Sequence, residues 1–234
     1  MLALASSLFY LLDYLVLGSM REITVSFLGN LAFLPVYVIF VTLMIEKILR
    51  ERERQMIMRK LNMVIGVFFS EVGNQLLREL ASAVVMCDAL RKELRVNTQW
   101  HDGDFKQALN FLQAYELRID SSGCDLEKLK SFLVAKRGFL VSLLENQNLL
   151  EHEQFTDLLW AVFHLVEELE ARPDFDSILR SDSEHINGDI KRAFGYLSRE
   201  WVMYMGHLKQ DYPYLFSLAI RMNPMLENVS PTVY

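Results

Sequence analysis

Two cysteines, five prolines and ten glycines in 234 residues leave little to staple or punctuate the chain. So few cysteines exclude a disulfide scaffold, and so little Pro and Gly argues against short strands joined by tight turns. An excess of positive charge is also missing. The 24 Lys and Arg face 30 Asp and Glu, a net charge of −6, which speaks against the basic footprint of a nucleic-acid binder. The sequence shows no repeat, no alternating strand pattern, and none of the Walker, GxGxxG, GxSxG, HExxH or kinase signatures. No residue is assigned a catalytic role, no cofactor is expected, and an enzyme is not the favoured class. What is present is 52% hydrophobic residues, which excludes a disordered chain. Abundant Leu, Met, Glu and Lys favour helix, and the length suits one or two domains with a sizeable core.

The apolar residues are concentrated at the N-terminus. Ile23 to Ile45 holds no charge and is bounded by Arg21-Glu22 and Glu46-Lys47. At about 1.5 Å per residue it spans roughly 35 Å, enough to cross a bilayer core of about 30 Å. A buried core helix is the rival reading, but such helices usually run shorter and keep a polar face. Residues 1 to 18 are apolar apart from Asp13. The simplest reading is a transmembrane hairpin over 1–45, with helices at about 1–18 and 23–45. A cleaved signal peptide fits less well, lacking a basic start and carrying a carboxylate in its apolar stretch. An antiparallel hairpin places Asp13 and Asn30 at similar depth, so the two are expected to form a polar pair inside the membrane, or Asp13 to bond a partner subunit. Asp13 reaching interfacial water or Arg21 is the bland alternative.

Lys47, Arg50, Arg52, Arg54, Arg59 and Lys60 crowd the far end of the second span, against Arg21 alone in the link. By the positive-inside rule the C-terminal side is cytoplasmic, and in a prokaryote the membrane is the inner one. Residues 46–60 are expected to be a charged juxtamembrane helix with opposite charges three and four apart. Contact with anionic lipid is a secondary role for it.

Residues 61–223 are expected to form a cytoplasmic helical domain, and 224–234 a tail. Apolar residues at helical spacing run from Leu61 to Met86. Further helices are expected from Asp102 or Asp104 to Ile119, from Asp125 to Glu145, from Leu150 to Ala171 and from Glu184 to Gln210. Pro213 suits the first turn of a short last helix. The fold class is therefore all-α, a two-helix transmembrane hairpin followed by a helical bundle, because each apolar stripe needs another to bury it. Residues 1–60 carry seven basic and five acidic side chains. The remaining 17 basic and 25 acidic residues give the domain a net charge of −8. Cys87 and Cys124, with no CxxC partner, are expected to be free thiols.

One constellation bears on chemistry. His164 precedes Glu167 and Glu168, His185 precedes Asp189, and His207 precedes Asp211. Facing pairs of His and carboxylate build di-iron sites in bundles through Glu-x-x-His on two helices, a motif that does not occur here, and with 30 acids a His four residues from an acid arises by chance. No metal is expected, and His164, Glu167 and Glu168 are the best of a weak set. Trp160, Trp201, Tyr196, Tyr204, Tyr212 and Tyr214 are read as core and rim rather than as a ligand cage.

At Phe27–Lys47 (FLGNLAFLPVYVIFVTLMIEK), Lys60–Gly73 (KLNMVIGVFFSEVG) and Glu184–Trp201 (EHINGDIKRAFGYLSREW) the chain resembles a group of uncharacterised prokaryotic membrane proteins with an N-terminal membrane hairpin and a helical cytoplasmic domain. The resemblance covers most of the chain and implies the topology, with no reaction or ligand attached. The expected function is a membrane-anchored interaction or scaffold module whose partner is a second copy or a cytoplasmic protein. A membrane-tethered metal- or ligand-binding bundle and an accessory subunit of a channel or transporter are the alternatives.

Overall fold

The structure is a computed structural model that describes residues 2–146, 149, 152–176, 178–226 and 229–232. It divides into two compact units, Met1–Ile57 and Met58–Tyr234. Regular structure among the described residues is helical apart from one isolated bridge.

In the first unit, α1 (Leu2–Leu17) meets α2 (Met20–Phe68) at Gly18, whose φ of +64° suits a residue without a Cβ. The two helices form a hairpin. Tyr10 and Phe27 meet edge to face at 5.9 Å, and Asn30 donates to the Tyr10 hydroxyl at 3.3 Å. Asn30 therefore takes Tyr10, not Asp13, as its partner. Asp13 lies five residues before the Gly18 corner and Asn30 twelve beyond it, so at about 1.5 Å per residue they sit at different distances from the corner. Every residue from Thr24 to Arg50 is exposed. The chain has one described helix long and apolar enough to cross a membrane by length and composition.

The second unit begins in the last turns of α2. Helix continues without a break through a π-turn (Phe69–Gly73) into α3 (Asn74–Ala81). Gly73 is required there. A Cβ on it would stand 2.5 Å from Phe69 Cδ1 and 2.9 Å from Phe68 Cε1, and both rings are fully buried. Phe68 packs edge to face on Phe155, and Phe69 stacks on Tyr204. The helix expected to reach Met86 ends at Ala81. The β-branched pair Val84-Val85 leaves the helix, Val85 N–H donates to the Arg118 carbonyl, and Val84 faces Ile119 across the isolated bridge. For the same reason α5 (Asp102–Ala114) stops short of Ile119, with Tyr115 already extended. A short helix, α4 (Asp88–Glu93), lies between.

α6 (Leu126–Leu144) is capped by Asp125, which accepts from Lys128 N–H. α7 (Glu153–Glu170) is capped by His152, and α8 runs from Arg180 to Asp211, four residues earlier than its stripe suggests. Pro213 opens α9 (Pro213–Arg221). α8 is the central helix, packed against α3, α5, α7 and α9, while α6 covers the other side of α7. Ile186, Ile190, Phe194, Leu197 and Trp201 bury one face of α8. Phe155, Leu158, Leu159 and Val162 answer from α7. A 3-10 turn, Ser121–Gly123, pins the early part of α8: Ser121 N–H donates to Asn187 Oδ1 at 2.8 Å.

Gly73→Ala tests the π-turn. An exposed mid-helix Gly→Ala change gains about 1 kcal/mol, whereas here overpacking should cost about 1–3 kcal/mol. Chemical unfolding of the full chain is expected to show lower stability, and a gain would contradict the packing described.

Candidate metal centre at the α7–α8 seam

α7 and α8 each present a histidine and, four residues later, a carboxylate on the face they share. One helical turn stacks His164 beside Glu168 and His185 beside Asp189. His164 Nε2 lies 3.7 Å from Glu168 Oε1 and 3.5 Å from Asp189 Oδ1. His185 Nε2 lies 3.4 Å from Glu168 Oε2 and 3.4 Å from Asp189 Oδ2. One ligand atom from each of the four residues fits within 4.8 Å of all the others. Bonds of about 2.0–2.1 Å to a tetrahedral ion imply ligand edges of about 3.3–3.4 Å. The four separations involve both oxygens of each carboxylate, and a set with one atom per residue is wider, within 4.8 Å, so an ion would have to draw the side chains in.

The outer contacts leave one oxygen of each carboxylate over. Arg172 donates to Glu168 Oε2 at 2.8 Å and grips Asp182 with its remaining guanidinium edge. Lys130 in turn bonds the Arg172 carbonyl, tying the start of the α7–α8 connection to α6. Arg192 donates to Asp189 Oδ1 at 2.9 Å. Glu168 Oε1 and Asp189 Oδ2 remain. Asp189 is 2% exposed, and its Oδ2 is buried with no hydrogen-bond partner. A buried carboxylate oxygen left unbonded costs more than its neutral counterpart, and such groups call for an explanation. Arginine-held carboxylates with a free inward oxygen are the outer-shell pattern of a metal ligand.

The Arg172 hydrogen bond holds the Glu168 carboxyl below its usual range against partial burial, with His185 adding to the effect. Glu168 is thus ionised, as a ligand must be. The two histidines remain partly open to solvent, with side chains 42% and 54% exposed. Two carboxylates and two neutral imidazoles around a divalent ion make a neutral centre that water can still reach.

Of the residues singled out in the sequence, His164 and Glu168 join this cluster. Glu167 is exposed and outside it. His185 and Asp189 complete the set, and their four-residue spacing was the available signal. The other histidines have local tasks. His207 pairs with Asp211 at 2.8 Å, His152 accepts from Phe155 N–H, and His101 caps α5. The basic neck residues Lys47, Arg50, Arg52, Arg54, Arg59 and Lys60 are all exposed, Arg50 being paired with Glu46. Cys87 and Cys124 are buried free thiols whose pKa values burial pushes up, away from the metal-binding thiolate form. Trp201 is core and Tyr204 stacks on Phe69, while Trp160 is exposed, so no aromatic cage forms among them.

A second buried carboxyl lies further along α8. Glu200 is 3% exposed, and burial pushes its pKa up to about 7. The folded chain therefore keeps a proton that the unfolded chain releases, so stability falls as pH rises from about 4.5 to about 7. Glu200→Gln removes the ionisation. The variant should gain up to about 3 kcal/mol on the native chain at pH 8 and little below pH 5. Thermal unfolding at the two pH values checks this, and an equal change at both would contradict it.

Two family models match the chain. One describes the C-terminal helical domain of uncharacterised protein MJ1433 and covers residues 57–221, and the other describes the N-terminal helical domain of MJ1433 and covers residues 1–49. Uncharacterised protein MJ1433 of Methanocaldococcus jannaschii is 43% identical over 219 residues, covering 94% of this chain and 88% of that relative. No solved structure matches.

Proposed function

The chain belongs to the MJ1433 family of helical proteins, and for this member we propose a membrane-anchored protein whose helical domain binds one divalent transition-metal ion. The single observation that carries the metal reading is Asp189 Oδ2, buried and unbonded, 3.4 Å from His185 Nε2 and in one cluster with His164 and Glu168. Two imidazole nitrogens and two carboxylate oxygens within 4.8 Å of one another suit zinc first, with iron and manganese as the neighbouring choices. With four protein ligands a zinc ion would be fully coordinated, as in structural zinc sites, and would join α7 to α8.

Anchoring is proposed from the uncharged stretch between Ile23 and Ile45, whose side chains are exposed on nearly all sides of α2. A helix apolar all round needs an apolar surrounding. Six basic residues just beyond it support a cytoplasmic position for the helical domain, on the inner membrane. The interaction-module reading draws on α9, which exposes Tyr214, Leu215 and Leu218 on one side. A second copy or a cytoplasmic protein is the proposed occupant of that face.

Calorimetric titration of chelator-treated full-length protein in mild detergent with zinc tests the centre. The expected result is one ion per chain, with affinity reduced at least about tenfold by Asp189→Asn or His185→Ala. Unchanged zinc binding in both variants would place any bound ion elsewhere and remove the proposal. For the anchor, alkaline extraction should leave the chain in the membrane pellet, and its release into the supernatant would contradict anchoring.

A further inference from the structure

α8 has a second polar face, turned toward α5 and the segment that follows it. Gly195 and Ser198 keep the helix surface low there, and a cleft of 340 Å³ opens between α8, Leu90 and the Leu112–Leu117 stretch. Lys191, Arg192 and Arg199 stand around it against one carboxylate, Glu116, which Arg118 engages at 3.2 Å. Three cations on one cleft are conspicuous where residues 61–234 carry a net charge of −8. Guanidinium and ammonium groups lining one cleft are suited to a phosphate.

The far wall of the cleft is a pair. The Arg199 guanidinium lies over the Tyr196 ring, 5.2 Å from its centroid, and its Nε is held by the Gly195 carbonyl at 2.9 Å. The same two residues line a second cavity of 270 Å³, whose other polar lining is Gln113, Gln154 and Glu200. Glu200 Oε1 is buried and has no hydrogen-bond partner. One cavity thus offers cations and the adjoining one offers amide and carboxyl groups, with Tyr196 and Arg199 lining both. Volumes of this size fit one small molecule.

We propose that the two adjoining cavities form a binding site for an organic phosphate of nucleotide size, its phosphate held by Lys191, Arg192 and Arg199 and its hydrogen-bonding end facing Gln113, Gln154 and Glu200. Arg192 also bonds Asp189, so the site neighbours the metal cluster along α8 without needing an ion there.

Titration of the full chain in phosphatidylcholine nanodiscs with ADP, GDP, CDP and UDP tests this, alongside inorganic pyrophosphate and vesicles containing phosphatidic acid. At least one nucleotide should saturate at one per chain, about tenfold tighter than pyrophosphate, and Lys191→Gln with Arg199→Gln should weaken it about tenfold. Should Arg199→Gln fail to fold, Lys191→Gln alone, at an exposed position, should still weaken binding. His185→Ala should leave nucleotide affinity unchanged, which separates this site from the metal centre. No saturable nucleotide binding, pyrophosphate binding as tight as any nucleotide, or affinity unaffected by Lys191→Gln overturns the proposal. Binding only to the phosphatidic acid vesicles would assign the cations to a lipid headgroup and overturn it equally.

Discussion

Two carboxylates are held at the seam between α7 and α8, Asp189 buried and Glu168 partly open to solvent. Glu168 and Asp189 each surrender one oxygen to an arginine, Arg172 and Arg192, and each keeps the other turned toward His164 and His185. Both elements are placed by apolar burial. Leu165, Val166 and Leu169 on α7 and Ile186, Ile190 and Ala193 on α8 are all buried next to the cluster. The hydrophobic seam thus sets the distance between the helices, and that distance brings the four polar side chains to a common point. The arginines then offset part of the charge repulsion between two acids in one place. Asp189 Oδ2 is left without a hydrogen bond and faces His185 Nε2 at 3.4 Å.

The surroundings reinforce the same stretch of α8. Asn187 accepts from the Ser121 turn, and Gly123 in that turn lies so near the Ser82 carbonyl that a Cβ would stand 2.6 Å from it. Arg172 joins Asp182 to Glu168 across the α7–α8 connection. The first turns of α8 are thereby braced from α7 and from the 3-10 turn. Preorganisation of this kind favours a defined ligand geometry over a loose acidic surface.

Much of the fold was legible in periodicity. The stripes of α6, α7 and α8 stand out because each helix buries one face, and Pro213 marks the start of α9 for a reason local to its ring. α4 was illegible, since six residues, four of them charged, carry no period. The early ends of α3 and α5 depended on Val84 meeting Ile119, a contact 35 residues apart that no window contains. The metal cluster was half legible. His164 with Glu168 and His185 with Asp189 each read as one turn of helix, but nothing in a single sequence says that these two turns face each other. Asn30 illustrates the same limit, finding Tyr10 where depth matching alone suggested Asp13.

One ion is proposed to join α7 to α8 through His164, Glu168, His185 and Asp189. X-ray absorption at the zinc edge of the loaded full-length protein reports the ligands directly. Nitrogen and oxygen neighbours only are expected, at about 2.0–2.2 Å, with the outer-shell scattering of two imidazole rings. Sulfur at about 2.3 Å, which Cys87 or Cys124 would supply, or a shell without imidazole, would contradict it.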